Sequence, residues 1–317
     1  MARPIAPLEE RRLLAIALAL VTFAVFTVID SSAKWLVEAG IPAHQVTFQR
    51  YAIHLLLISA FVFPSQGFGV LRTVSLSTEL LRAAGLLATT MFNFLAVQFL
   101  PLTVTGAVAF SMPLLVCALS GPMLGEKVGP RRWAAILVGF VGVMIVIRPG
   151  GTDFNWAVIL SLLSAAAASF YFILTRKLAG RDSASTMQIY TGIVGTIAVA
   201  PFALASWIWP SDPYTWIAFF LVGIAGLTGH FIYTIAHRFA PASVLAPFAY
   251  TQIIWMTLSS WLIFSDPPDV WLFIGAPIVI ASGLYIWLRE RQLAKTTPTA
   301  VVPEATTVDA SDKGTRS

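Results

Sequence analysis

Charge is what this chain lacks most. Asp, Glu, Lys and Arg make up 11% of its 317 residues, against 57% hydrophobic residues, and the mean hydropathy is +0.81. A water-soluble domain of this length needs far more polar surface to cover its core, so composition excludes one and leaves a polytopic membrane protein. Cysteine is nearly absent: Cys117 stands alone inside an apolar run, which excludes an internal disulfide and any cysteine metal site. No long polar segment separates the apolar runs, so there is no room for a second, soluble domain. HExxH, GxSxG and P-loop patterns are missing, and His44, His54, His230 and His237 do not fall at metal-ligand spacing. The sequence therefore carries no expectation of catalysis, of a metal or of a cofactor, and nothing in it could draw on ATP.

What is present is a series of apolar runs. Residues 1–12 read as a charged N-terminal tail, and the run from Leu13 to about Leu36 is too long for a signal-peptide core, so it is expected to be retained as the first span. Further spans are expected at His44–Phe63, Glu79–Phe99, Leu102–Leu124, Trp133–Ile147, Phe154–Thr175, Met187–Trp207, Tyr214–Arg238, Ala242–Phe264 and Val270–Leu288. The fold class is thus all-α, with ten transmembrane helices. The sequence from residue 291 onward loses hydrophobic period and reads as a disordered tail. Trp133, Trp207, Trp209, Trp216, Trp271 and Trp287 cluster near span ends, as an interfacial aromatic belt does.

The net charge of +5 would suggest nucleic acid in a soluble protein, but here Lys and Arg mark orientation instead. One side collects Arg3, Arg11, Arg12, Arg72, Arg82, Lys127, Arg131, Arg132, Arg176, Lys177, Arg181, Arg238, Arg289, Arg291, Lys295, Lys313 and Arg316, whereas the other collects Lys34, Arg50 and Arg148. This bias places both termini in the cytoplasm.

The stretch Leu86–Glu126 recurs at Gly226–Asp266. At a constant offset of 140 residues, Leu87 meets Leu227, Ala96 meets Ala236, Phe99 meets Phe239, Pro101 meets Pro241, Val104 meets Val244, Ala109 meets Ala249 and Ser120 meets Ser260. Glu126 then meets Asp266. Two halves, 13–148 and 149–290, each with an odd number of spans, must cross the membrane in opposite senses. Such inverted repeats place a substrate site between the halves, near the midplane.

The close of the first half, LGEKVGPRRWAAILVGFVGVMIVIRPG, carries Leu124-Gly125-Glu126 followed by Gly139 and Gly142. Asp266, Gly275 and Gly283 stand as a weaker second copy, with Ser265-Asp266-Pro267-Pro268 where a Gly-Glu belongs. On these residues the chain resembles the EamA-type branch of the drug/metabolite transporter superfamily over about residues 13–289. Within it, the chain is similar to the bacterial exporters of aromatic amino acids, and riboflavin carriers share the same motifs. The resemblance implies a multi-pass protein of the bacterial inner membrane that exports small metabolites by alternating access through a central cavity. Its expected partners are a small-molecule substrate and the lipid bilayer, with no nucleic acid, and the chain is read as a monomer.

Polar residues at membrane depth cost a few kcal/mol unless paired or facing a wet cavity. Gly226, His230, Tyr233 and His237 share one face of the eighth span, and the offset maps His230 onto Thr90 and Tyr233 onto Asn93. Cavity lining is expected for Thr90, Asn93, His230 and Tyr233, against the alternative of interhelical hydrogen bonds. Phe248, Gln252, Trp255 and Ser259 share a face of the ninth span, where an amide between rings suits an amphipathic substrate. Tyr171, on a face of small hydroxylic residues in the sixth span, is bulky enough to reach the same cavity. Asp30 and Lys34, four apart on the first span, are expected to pair with each other, or else to gate or couple transport. Pro113 and Pro247, with Gly223, Gly226 and Gly229, mark expected bending points. Arg50 and His54 are expected to be structural, with the arginine snorkelling outward. An intramembrane enzyme and a non-transporting scaffold are the competing classes; the first lacks a nucleophile–base pair, and the second leaves the paired polar faces unexplained.

Overall fold

The structure is a computed structural model that describes residues 12–125, 129–148, 155–178, 181–239 and 246–296. Its helices are α1 (Arg12–Glu38), α2 (Ala43–Gln66), α3 (Leu76–Val97), α4 (Leu102–Ala109), α5 (Met112–Leu124), α6 (Pro130–Ile147), α7 (Val158–Leu178), α8 (Ala184–Ala205), α9 (Pro213–Phe239), α10 (Gln252–Phe264) and α11 (Val270–Thr296). Short 3-10 segments cover Gly67–Leu71 and Ala246–Thr251. Among the described residues, seven helices are long and apolar enough to span a membrane, and three shorter apolar stretches lie at 102–116, 133–147 and 248–264. Large apolar side chains such as Phe61, Ile197, Phe202 and Leu262 are exposed, as lipid-facing positions require.

Two of the expected spans are interrupted. The fourth is two helices, α4 and α5, because Pro113 in the first turn of α5 has no N–H to return to the Ala109 carbonyl. Phe110 and Ser111 form the joint, with Ser111 N bonding back to the Val108 carbonyl at 2.9 Å in a tightened turn. Within the described residues the ninth span runs as the 3-10 segment that holds Pro247 and then as the α-helix from Gln252. The joints fall at equivalent places, since Phe110 and Tyr250 are again 140 apart, and the two buried rings meet edge to face with centroids 5.3 Å apart. The glycine-rich α9, by contrast, is unbroken. Gly223 and Gly229 serve close approach instead: a Cβ at Gly223 would lie 2.4 Å from Ile53, and one at Gly229 would lie 2.7 Å from Phe26.

The principal helix contacts are α1 with α9, α3 with α7, α2 with α8, and α6 with α11. Exchanging the two halves maps the first two pairs onto each other and the last two onto themselves. In the α6–α11 pair, Gly142 and Gly275 bring the backbones together, since a Cβ on Gly275 would sit 2.5 Å from the Gly142 carbonyl oxygen.

One end of the bundle carries the exposed Arg72, Arg131, Lys177 and Arg181 and is here the basic end. Arg82, counted with the charges of that side, is fully buried within α3. Its Nε donates to Glu79 Oε2 at 2.8 Å, and Nη2 donates to Thr191 Oγ1 at 2.9 Å and to the Met187 carbonyl, tying α3 to α8. At the opposite end Trp207, Trp209 and Trp216 pack on one another and on Phe219 and Phe220, so these tryptophans form a cluster rather than isolated belt positions. Gln45 pins the 206–212 connection by paired bonds to the Ile208 backbone at 2.6 and 2.9 Å. Asp212 caps α9 through Thr215, whose hydroxyl and backbone N–H hold this exposed carboxyl below its ordinary pKa. The expected tail begins later than residue 291, because α11 continues to Thr296. Residues 1–11 and 297–317, Glu126 and Lys127, and the start of the ninth span at 242–245 lie outside the described residues.

Candidate functional site

Most intramembrane hydroxyls answer to their own helices. Thr27 bonds to the Phe23 carbonyl, Thr89 to Gly85, Ser169 to Ala165 and Thr175 to Tyr171, four residues back in each case. Ser164 bonds across to the Thr89 carbonyl at 2.9 Å, joining α7 to α3 as close packing predicts.

A different arrangement stands where α1, α2, α3 and α9 meet. Asn93 Nδ2 donates to Asp30 Oδ1 at 2.8 Å, and Arg50 Nη1 donates to the Thr90 hydroxyl and, at 3.1 Å, to Tyr51 Oη. Tyr51 Oη and Thr90 Oγ1 lie 2.9 Å apart, and Arg50 Nη2 approaches His230 Nε2 at 3.4 Å. Thr90 and His230, the pair related by the sequence offset, thus converge on one guanidinium. Beside it is an aromatic wall: Phe26 lies 5.0 Å from the His230 ring, and Tyr233 lies 5.9 Å from Phe23 and 6.3 Å from Phe26. Asp30, Asn93, His230 and Tyr233 are half-buried, while Arg50 and His54 are buried at 6% and 3% exposure.

Four of the expected site residues, Thr90, Asn93, His230 and Tyr233, therefore come together. Arg50 corrects the expectation of a snorkelling arginine, because α2 points it inward against α3 and α9; His54, expected to be structural, is buried. The Asp30–Lys34 ion pair is also not made. Asp30 turns to Asn93, whereas Lys34 reaches Asp266 at 2.6 Å and Glu38 at 3.5 Å. Arg148 makes the matching contact to Asp269 at 2.7 Å, so the 265–269 connection holds a cation from α1 and another from the end of α6. Ser31 and Ser259 add a 2.6 Å hydrogen bond between α1 and α10.

The ninth-span face divides, with Phe248 packing into the aromatic wall of Phe23, Phe26 and Tyr233 and Trp255 turned to another groove. Phe248 lies on the 3-10 segment and packs with Ala15, Ala19, Phe23 and Tyr233 near the basic end. Gln252 is half-buried at the start of α10. Trp255 is 41% exposed and faces a lateral groove of about 450 Å³ between α1, α9 and α10, shared with Thr27, Ser31 and Leu221. Tyr171 packs against Gly85 with Arg82 over its ring, centroid to Cζ 5.5 Å. Pro113 and Pro247 mark the two helix joints. The His237 side chain lies outside the described residues.

The bundle thus holds membrane-length apolar helices around a cluster of polar and ionisable groups beside an aromatic wall. The chain belongs to the EamA-like transporter family, whose model matches it twice, over residues 12–148 and 155–288. Among its relatives, the riboflavin transporter of Vibrio cholerae serotype O1 is 30% identical over 281 residues, covering 85% of this chain and 93% of that protein. The S-adenosylmethionine uptake transporter of Rickettsia felis is 27% identical, covering 78% and 84%. A pseudopaline exporter of Pseudomonas aeruginosa is 25% identical, covering 84% and 92%. One solved crystal structure superposes with a TM-score of 0.61 at 20% identity, covering 90% of this chain and 99% of the other; at that identity the likeness is one of fold.

Proposed function

We propose that this protein is a secondary transporter of the bacterial inner membrane, with both termini cytoplasmic, which carries small metabolites that combine a flat or apolar body with a compact polar head. The observation that carries this reading is the convergence of Asp30, Asn93, Arg50, Thr90 and His230 next to Phe26 and Tyr233. The polar groups suit the head and the rings suit the body. The halves 13–148 and 149–290 rock about the joints at Phe110–Ser111 and Thr251–Gln252. The Lys34–Asp266 and Ser31–Ser259 contacts between halves part when the end opposite the basic one opens.

Two cargo readings have separate support. Export of aromatic or other amino acids follows from the sequence motifs, while riboflavin follows from the 30% identical relative. The relatives' names include both uptake and export, so direction is set by the gradient in this reading. Counterflow into proteoliposomes preloaded with unlabelled compound, run with riboflavin and with aromatic amino acids, tests it. Accelerated entry of labelled compound from either group supports the transporter reading, and entry equal to that of empty liposomes for every compound contradicts it.

A further inference from the structure

Two opposite charges stand at the centre of this bundle without meeting. Arg50 directs its donors to neutral groups, the hydroxyls of Thr90 and Tyr51 and the His230 ring, and its buried Nε has no partner. Asp30 accepts from the neutral amide of Asn93. Among the described residues the two form no ion pair within 4 Å. The spacer is α3. Thr90 holds the guanidinium and Asn93, three residues on, holds the carboxylate, which separates their anchor points by about 4.5 Å along the helix axis.

Burying a charge is costly unless an opposite charge or hydrogen bonds compensate it. Here the hydroxyl and the amide of α3 keep the two ions apart, each with an unmet electrostatic demand. Gly226 lets the arginine pack closely on α9, since a Cβ there would lie in contact with Arg50 Nε at 3.5 Å. One turn before Asp30 on the same helix is Phe26, which continues through its contact with His230 and Tyr233 into the aromatic wall.

We propose that this pair recognises a zwitterionic head group, with Asp30 taking an ammonium and Arg50 a carboxylate, while the remainder of the ligand lies along Phe26, Phe23 and Tyr233. The substrate class is therefore an α-amino acid or a metabolite with an amino acid end. This deepens the transporter reading above and rests on it. His230 is the companion of Arg50 in the carboxylate half of the site, and Asn93 orients Asp30 for the ammonium.

The test is uptake by the full chain in proteoliposomes of four labelled compounds: L-phenylalanine, 3-phenylpropionate, 2-phenylethylamine and riboflavin. The first three share a ring and differ in the charges they carry. Phenylalanine is expected to exceed both singly charged analogues by about a hundredfold in kcat/KM, since either analogue leaves one buried ion unmet. Asp30→Asn is expected to narrow the preference over phenylpropionate and Arg50→Gln the preference over phenylethylamine, each through KM. The wild-type panel stands without either variant. Equal transport of the singly charged analogues overturns the inference, and so does riboflavin transport without phenylalanine transport, which leaves the transporter reading intact. Transport of none of the four overturns both.

Discussion

Asn93 on α3 donates its side-chain amide to Asp30 on α1 across 2.8 Å, and this bond is the link between α3 and the α1–α9 pair at the centre of the bundle. Asn93→Leu removes the donor and leaves the carboxylate unsupported. Transport is expected to fall by about tenfold or more, with Asn93→Asp damaging it further by placing like charges together. Initial uptake rates at matched protein density check this.

The Lys34–Asp266 pair joins α1 to the 265–269 connection, and in the proposed cycle it parts when that end opens. Lys34→Met is expected to favour the state open at that end, seen as faster modification of a cysteine placed at Ser31 in a Cys117→Ser background. The reversed pair, Lys34→Asp with Asp266→Lys, is expected to return that labelling toward the wild-type rate. A reversed pair that labels as fast as Lys34→Met would show that charge complementarity is not what holds this end.

Glu79 and Arg82 form a fully buried ion pair within α3, and Arg82 also ties α3 to α8 through Thr191 and the Met187 carbonyl. Arg82→Leu leaves the carboxylate buried without its counter-charge, an expected loss of about 3–5 kcal/mol. Thermal unfolding in detergent is expected to show a clearly lower Tm for this variant, and a smaller drop for the double variant Glu79→Gln with Arg82→Leu.

Gly283 on α11 lies under the Tyr250 hydroxyl, where an added Cβ would fall 1.5 Å from the oxygen. Gly283→Ala therefore forces Tyr250 off the Phe110 ring and disturbs the joint between the halves, with an expected cost of about 1–3 kcal/mol. Tyr250→Phe removes the nearest atom and is expected to recover part of that loss in the same unfolding measurement.

The spans were legible because hydropathy and the Lys/Arg bias are properties of each segment alone. Thr90 and His230 were legible as a pair because the offset of 140 residues carries one onto the other, and both do reach Arg50. Arg50 itself was missed, since its place two turns into a span reads equally well as snorkelling. The signal available was the neighbouring Tyr51 and His54, which make that stretch of α2 polar over a full turn. Lys34 was paired with the wrong acid because i,i+4 spacing is visible in sequence, whereas Asp266 is brought to it only by the packing of α10 on α1. Trp255 was placed on one face with Phe248 by α-helical spacing. The 3-10 segment between them turns about 3.0 residues per turn rather than 3.6, which rotates the register and sends Trp255 to the lateral groove.

The central claim is that the residues around Asp30 and Asn93 bind what this protein moves across the membrane. Its most direct test is counterflow of a labelled aromatic amino acid or riboflavin into preloaded proteoliposomes, comparing the wild type with Asn93→Leu at equal incorporation and equal thermal stability. Wild-type counterflow with loss of about tenfold or more in the variant is the predicted result. Counterflow of equal rate and extent in the two proteins would contradict it.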